Sequence, residues 1–283
     1  MKIIPISKEN HAKWSYVGLS NYLHTKTDAI APILIAEINR VIFTNPIVFI
    51  ENQKTLGLYS LQSLLPNVNL MIDREGKWIN NYIPARYRSL PFVLASETNQ
   101  KKSDDKILCY IDELDCVSKS FKNKKSTPIF DSNLELSEDM KRVFEFLKSI
   151  EQNEIITKIA LESIYNAEII EDWALSLKLQ DGEKKMTGLK KVNLEKLKSL
   201  SSDKLHDLNV TGGLDICFAN IFSLNNLEKL KQILISKSTN NQKKKADDNN
   251  NKSLRDLTLE KQNKEKKEEM DSLVKNLLLD DEI

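Results

Sequence analysis

The chain has 283 residues, with 42 Lys and Arg against 41 Asp and Glu, so charged side chains form 29% of the sequence yet almost cancel. A balance this close to zero counts against a general nucleic-acid binder, which usually carries a basic excess or patch. Hydrophobic residues make up 40%, enough for a core, and only 7 glycines argue against collagen-like and glycine-rich phosphate-loop proteins.

The first part of the chain, which contains all seven prolines, is predicted to form short strands and turns with one helix. That helix is predicted at Asp28–Thr44, because Asp28 can cap it and Pro32 fits its first turn. A polar, basic surface loop is predicted at Lys119–Lys125. Strands are predicted where apolar runs have strand length, at Ile47–Glu51, Leu56–Leu61, Asn69–Asp73, Phe92–Ala95 and Ile107–Asp112.

Residues 132–235 are predicted to be mostly helical. Ser137 opens the first helix, whose apolar side chains share one stripe: Val143, Phe144, Leu147 and Ile150. An alternating strand at Trp173–Gln180, the turn signal Asp181-Gly182 and a returning strand at Lys184–Val192 then predict a hairpin.

Two more helical stretches complete this part. Ser202–Leu208 is predicted to be a short helix that stops at Thr211-Gly212-Gly213, because glycine accepts the left-handed conformation of a helix end. A last packed segment is predicted from Leu214 to about Leu234. The predicted fold class of residues 1–235 is therefore α+β, with a strand-rich N-terminal half and a helical C-terminal half that contains the hairpin.

Residues 236–283 have a different composition, without Gly, Pro or aromatic residues and with low-complexity runs such as Asn249–Asn251. Because such a segment buries too little apolar surface to offset chain entropy, we predict a disordered charged tail. Helical spacing returns at Leu254–Ile283. It predicts either a solvated helix or a helix that binds a partner, and the sequence leaves both open.

The sequence favours a cytoplasmic protein. Met1–Pro5 does not have the pattern of a signal peptide, and no window of about 18 apolar residues predicts a membrane span. Three cysteines form a sparse, odd set that is typical of a reducing compartment. The alternative is the cell surface, reached by signal-peptide-independent export with Leu277–Asp281 as an uncleaved C-terminal signal.

Motifs of catalysis and metal binding give no positive prediction. The sequence lacks GxGxxG, GxxxxGK[ST], HExxH, GxSxG and CxxC, and its three histidines have no metal-ligand spacing. Cys109 and Cys116 are predicted to be buried thiols, with a redox pair as the alternative. Asp112–Asp115 is predicted to be a polar turn, with a cation or acid–base site as the alternative. We expect no cofactor and no metal, and the sequence favours a non-enzymatic role.

The most distinctive segment is Asp73–Phe92, in which aromatic residues alternate with Arg86, Arg88 and two prolines. Two interpretations fit this pattern. Aromatic rings beside arginine can form a recognition surface through stacking and cation–π contacts. They can equally form a core hinge, in which Trp and Tyr fill volume and Arg bonds backbone carbonyls, and spacing alone favours the hinge.

The same segment resembles the SapC family of bacterial proteins, in which an acidic turn is followed by Gly-Arg/Lys-Trp, Tyr-x-Pro, Arg and Pro-Phe. The matching residues are Gly76–Trp78, Tyr82–Pro84, Arg88 and Pro91-Phe92, with further matches at Pro32, Glu37, Pro46–Phe49, Ile111-Asp112, Pro128–Asp131 and Ser223-Leu224. The resemblance spans about residues 1–232. The family's final helix carries a His before its Ser-Leu, whereas this chain has Ala219–Phe222, so no catalytic His is expected there.

The resemblance implies an accessory protein of a bacterial surface-layer (S-layer) or export system, with protein partners and no specific nucleic acid. No catalytic residue of the family is established, so none is assigned. The alternative is a small-molecule or peptide-binding protein, or an enzyme, whose pocket is built around Trp78, Arg88 and Asp112. Candidate ligand-binding residues lie inside the matching motifs: Glu37, Asp73, Trp78, Tyr82, Arg88 and Asp112.

Overall fold

The computed structural model describes residues 2–96, 106–121, 125–179 and 182–237. The chain divides into two compact units, Met1–Lys231 and Gln232–Ile283, and every helix and strand named in this section starts in the first. The predicted tail beyond residue 237, the turn residue Asp181 and part of the predicted loop Lys119–Lys125 lie outside the described residues.

Short strands dominate the first part of the chain and a long helix opens the second. The described strands are β1 (Ile3–Pro5), β2 (Ser15–Tyr16), β3 (Ile30–Pro32), β4 (Ile47–Asn52), β5 (Thr55–Leu61), β6 (Phe92–Ser96), β7 (Lys106–Ile111), β8 (Val117–Ser118), β9 (Thr127–Pro128), β10 (Ile170–Leu179) and β11 (Gly182–Val192). The described helices are α1 (Lys8–His11), α2 (Ile38–Val41), α3 (Ala85–Arg88), α4 (Glu138–Ala167), α5 (Leu194–Lys198), α6 (Ser202–Thr211), α7 (Gly213–Ser223) and a last one at residues 226–237, with 3₁₀ turns at Leu23–Thr25, Ile35–Glu37 and Asp112–Leu114. The fold is α+β, as predicted.

The strands form three antiparallel sheets. Their orders are β10-β11-β4-β5-β3, β1-β7-β6 and β8-β2-β9. The turn between β4 and β5 consists of Gln53 and Lys54, which both have positive φ, the geometry of a tight two-residue hairpin. The predicted hairpin of β10 and β11 is confirmed, and Leu179 pairs with Gly182 next to the turn.

Helix α4 is the longest of the described helices and packs against two of the sheets. Its start is confirmed, since the Ser137 hydroxyl accepts a hydrogen bond from the Met140 N–H, and its 30 residues extend about 45 Å. The N-terminal half of α4 packs against β6 and β7 in one apolar cluster, through Met140 and Leu147. The C-terminal half packs against the five-stranded sheet in a larger cluster. Its middle therefore lies where the two packing regions meet.

The predicted helix at Asp28–Thr44 is wrong for most of its length. Ile30–Pro32 instead forms β3 and pairs with β5, and only Ile38–Val41 is α-helical after the 3₁₀ turn. Asp28 does not cap a helix, because its carboxylate accepts a hydrogen bond from the Tyr87 hydroxyl at 2.7 Å. Long-range pairing outweighed the local capping signal.

The predicted strand at Asn69–Asp73 is also wrong, since only Ile72 pairs, in an isolated bridge with Trp78. The Asn69 side chain explains the difference. Its Oδ1 accepts from the Met71 N–H at 2.8 Å and its Nδ2 donates to Thr25, so local side-chain bonds replace a ladder.

The end of the domain follows the prediction more closely. Helix α6 stops at Gly212, whose φ of 79° is left-handed, and α7 begins at the next residue. The last segment, predicted as one piece, is divided after Ser223, and residues 226–237 are helical again.

Candidate functional site

Glu37 lies at the centre of the motif residues and is buried, with 4% of its surface exposed. Its Oε2 accepts a hydrogen bond from the Leu34 N–H at 2.8 Å. Its Oε1 accepts from the Ala85 N–H at 2.7 Å and from the Tyr82 hydroxyl at 2.8 Å. One carboxylate thus joins the 3₁₀ turn before α2 to the first residue of α3, and both of its oxygens are engaged.

Tyr82 connects this buried carboxylate to the surface. Burial, together with the charge and hydrogen bond of Glu37, raises the pKa of Tyr82 to about 12, and the Arg88 charge opposes them. The hydroxyl therefore stays a proton donor to Glu37 at neutral pH.

The elevated pKa of Tyr82 predicts a loss of stability at high pH. The unfolded chain loses this proton first, near the ordinary value of 10.0, so the contribution is complete below pH 10 and is lost as pH rises through about 12. Urea unfolding at about pH 9 and about pH 11 should show a smaller decrease in Tyr82→Phe than in the unchanged chain. Tyr165→Phe, at an exposed position on α4, is the control, and an unchanged decrease in Tyr82→Phe would contradict the assignment.

Arg88 is exposed, and its guanidinium lies between two aromatic rings. The guanidinium carbon is 5.5 Å from the centre of the Tyr82 ring and 5.1 Å from that of Phe146 on α4. Nε donates to the Ile83 carbonyl at 2.9 Å, and Nη2 donates to the Tyr82 hydroxyl at 3.3 Å. Within the described part of the chain, no carboxylate lies at ion-pair distance from Arg88, so its charge faces solvent in a fixed orientation.

Trp78 lies on the inner side of the same segment and is half-buried. Its indole N–H donates to the Tyr82 carbonyl at 2.8 Å. Its ring makes edge contacts with Tyr22 and Tyr87, at centroid distances of 5.6 and 5.8 Å. These contacts fix the path of residues 78–88, as the hinge interpretation predicts.

The imidazole ring of His24 completes this inner aromatic cluster. His24 lies between Tyr22 and Tyr87, at ring-centroid distances of 6.0 and 6.3 Å. Burial lowers the pKa of His24, and the charge of Asp28 partly opposes that effect. The surroundings of His24 in this cluster therefore favour the neutral form of its imidazole.

Asp73 and Asp112 are not brought to Arg88. The Asp73 Oδ1 accepts from the Lys77 N–H at 2.7 Å and so closes the turn before Trp78. Asp112 is exposed at the end of β7, where its N–H donates to the Lys2 carbonyl, and its charge raises the pKa of Tyr110 after the larger effect of burial. Of the six candidate residues, the structure joins Glu37, Trp78, Tyr82 and Arg88 in one network.

A comparison with protein-family models matches residues 6–230 to the SapC family. The chain belongs to the SapC family. No curated protein and no solved structure matches it. Trp78, Tyr82 and Arg88, which belong to the structural network, lie inside the matched range.

Two thiols of this SapC-family chain, those of Cys109 and Cys217, are poor nucleophiles. Burial raises the pKa of Cys217 to about 12 and also raises the pKa of Cys109, and a thiol attacks only as the thiolate. Cys109 and Cys116 are both buried, as predicted. In the ranges that the structure covers, no three His, Cys, Asp or Glu side chains are grouped to hold a metal ion. An exposed guanidinium held by hydrogen bonds, such as that of Arg88, can bind an anion such as a carboxylate.

Sequence reasoning missed Phe146, the second ring against Arg88. A signal for it was present: Phe144 and Phe146 are two residues apart on α4 and therefore point about 200° apart, so both cannot belong to one apolar stripe. Phe144 is half-buried in the cluster with β6 and β7, which leaves Phe146 for another neighbour.

Proposed function

We propose that this SapC-family chain is an accessory protein of a bacterial surface-layer or export system and that it acts by binding another protein. The site of contact is the surface formed by Arg88, Tyr82 and Phe146, which we call the Arg88 surface. It is the exposed side of the network whose buried side is anchored by Glu37.

The observation that supports this proposal is the state of Arg88: exposed, within 5.5 Å of the centres of two aromatic rings, oriented by two hydrogen bonds and without a carboxylate partner among the described residues. An oriented guanidinium loses less entropy when it binds a carboxylate than a free arginine does. Tyr and Arg are also among the residue types that contribute most binding energy at protein interfaces.

Arg86, two residues away on α3, provides a comparison. It forms an ion pair with Glu154 of α4 and lines a groove of about 220 Å³ together with Ser89, Leu147 and Ile150. The charge of Arg86 is neutralised by Glu154, whereas Arg88 has no carboxylate partner among the residues that the structure describes. The two arginines of the segment therefore have different roles. Arg86 forms an ion pair between α3 and α4, and Arg88 binds the partner.

Alanine and lysine substitutions of Arg88 test the proposal. Full-length tagged protein is expressed in the bacterium that encodes it, crosslinked and recovered, and surface-layer and secretion components are quantified. Arg88→Ala should lower their recovery about tenfold, a typical effect of an interface arginine. Arg88→Lys should behave similarly, because lysine keeps the charge but not the planar stacking.

Arg142→Ala is the matched control, because Arg142 is a surface arginine of α4 with its side chain 79% exposed. It should leave recovery unchanged. Urea unfolding of all three variants checks that binding, not folding, has changed. Absence of any surface-layer or secretion component from the unchanged protein would refute the proposed system, and full recovery with Arg88→Ala would refute the proposed surface.

The cytoplasmic location and the alternative of signal-independent export both stay predictions. Among the described residues, no helix combines the length and apolar character that crossing a bilayer requires.

A further inference from the structure

Strand β10 is the outer strand at one edge of the five-stranded sheet. It spans ten residues, and its strand neighbour in the described part of the chain is β11. Among the described helices and strands, β11 is also the one against which it packs extensively. The opposite edge, β3, has only three residues and ends in Pro32, which has no N–H to donate. A long outer strand like β10 presents a row of backbone N–H and C=O groups that can pair with another strand.

The outer edge of β10 is regular, because the irregularity of the hairpin lies in β11. Between the pairs Trp173–Leu189 and Leu175–Met186, β10 advances by two residues and β11 by three. The extra residue falls next to Gly188, whose φ of 82° is left-handed, as in a glycine bulge. The bulge therefore belongs to the inner strand, and β10 keeps the alternation that pairing on its outer side requires.

We propose that the outer edge of β10 pairs with the same edge of a second copy of this chain, antiparallel and about a two-fold axis at Leu175. The two five-stranded sheets then form one continuous sheet across the dimer. A two-fold interface requires a surface that is complementary to itself. The sequence of β10 has this property on both faces of the sheet.

On one face, apolar positions meet apolar positions. Leu175 lies opposite Leu175 of the second copy, and each is paired within its own chain with Met186. Trp173, which is paired with Leu189, lies opposite Leu177 of the second copy. Trp173, Leu175 and Met186 are only half-buried within one chain, so the pairing gives them further apolar neighbours. Cross-strand pairs of aromatic and aliphatic residues stabilise a sheet.

On the other face, opposite charges meet. Within the chain, Asp172 pairs with Lys190 and Lys178 pairs with Glu183. The two-fold register places Lys178 of the second copy opposite Asp172, so charges alternate in sign along a row of four strands. The third charged residue of β10, Glu171, lies opposite a leucine. A shift of the register by two residues in either direction would remove both Asp172–Lys178 contacts, so the charges select this register and this occupant.

Main-chain hydrogen bonds add to these side-chain contacts. In an antiparallel pair, every second residue directs its N–H and C=O groups to the neighbouring strand, so residues 171–179 of the two copies would form about eight to ten bonds. Each bond replaces bonds to water and contributes modestly. We therefore expect a reversible dimer that dissociates at micromolar concentrations.

Sedimentation velocity of the full-length chain from about 1 to about 200 µM tests this inference. The unchanged protein should shift from monomer to dimer. Leu175→Lys places like charges opposite each other at the axis and should weaken the dimer roughly tenfold or more. Thr187→Lys is the matched control, because it adds the same charge at an exposed position of β11. A monomer throughout the range, which would leave the edge to a strand of a different protein, or a dimer indifferent to Leu175→Lys, would overturn the proposal.

A charge exchange between two variants tests the register. Asp172→Lys alone opposes two lysines at each contact, and Lys178→Asp alone opposes two aspartates, so each variant should dimerise roughly tenfold more weakly than the unchanged protein. One copy of each restores opposite charges at both contacts, so an equimolar mixture should recover the dimer.

Changes within each chain are the same in the mixture as in the separate variants, so recovery would report the contact between copies alone. A mixture that stays monomeric, or single variants that dimerise as the unchanged protein does, would exclude the register. Circular dichroism checks that each variant is folded.

Discussion

Glu37→Ala is expected to lower the free energy of unfolding by about 3–5 kcal/mol. The substitution leaves three donors without their acceptor: the N–H groups of Leu34 and Ala85 and the Tyr82 hydroxyl. Each buried donor without a partner costs about 1–3 kcal/mol, and the two N–H groups are too deeply placed for water to replace the carboxylate fully. Urea unfolding measured by circular dichroism gives the change directly.

Glu37→Gln separates the charge from the shape of this side chain. Glutamine fills the same volume but has one acceptor oxygen, so one side of it presents N–H groups to an N–H or hydroxyl donor. The loss should be about 2–3 kcal/mol, smaller than that of Glu37→Ala.

Glu162→Ala is the control for both substitutions. Glu162 is an exposed residue of α4 whose contact with Lys158 is 4.0 Å long, and its loss should change stability by less than about 0.5 kcal/mol. A change below about 1 kcal/mol for Glu37→Ala would show that the carboxylate does not hold the segment in place. The Arg88 surface would then lack the rigid support on which its proposed role depends.

The sequence predicted the elements whose signals are local. The start of α4 depended on the Ser137 cap and the hairpin of β10 and β11 on alternation and a turn signal, and both are confirmed. Asp28–Thr44 failed because its cap, Asp28, is used by Tyr87, 59 residues along the chain. Local rules carry no information about such a partner.

The same limit of local rules separates the candidate site residues that the sequence could group from those that it could not. Trp78, Tyr82 and Arg88 lie within one short segment, and their grouping was accessible to sequence reasoning. Glu37 was accessible only through the family resemblance, because its contact with Tyr82 spans 45 residues. The contacts of Trp78 and the backbone bond from Arg88 fit the hinge interpretation, and recognition at the exposed guanidinium stays a prediction.

The side-chain amide of Asn220 on α7 bridges β4 and β11. It is fully buried, and its Nδ2 donates to the Ile47 carbonyl at 2.8 Å while its Oδ1 accepts from the Val192 N–H at 2.9 Å. Lys190 pairs with Phe49 between β11 and β4, so continuing this antiparallel register by two residues would place Val192 opposite Ile47. The Asn220 amide lies between these two backbone groups and takes the place of a direct ladder pair.

Asn220→Ala is therefore expected to lower the free energy of unfolding by about 3–4 kcal/mol, since it leaves one buried N–H and one buried C=O without partners. Asn225→Ala, on the exposed turn after α7, is the control and should change stability by less than about 0.5 kcal/mol. Urea unfolding near neutral pH compares the two variants with the unchanged chain.

Asn220→Asp distinguishes the bridging amide from mere volume, because the side chains have nearly the same shape. An ionised carboxylate accepts from Val192 but faces the Ile47 carbonyl without a proton to donate, so Asn220→Asp should be at least as unstable as Asn220→Ala near pH 7. Burial raises the pKa of such a carboxyl above its unfolded value of about 3.9, so the deficit should shrink as pH falls toward about 4 and the group gains its proton. A deficit that does not depend on pH, or a stable Asn220→Asp at neutral pH, would mean that α7 is held to the sheet by its apolar side chains and not through this amide.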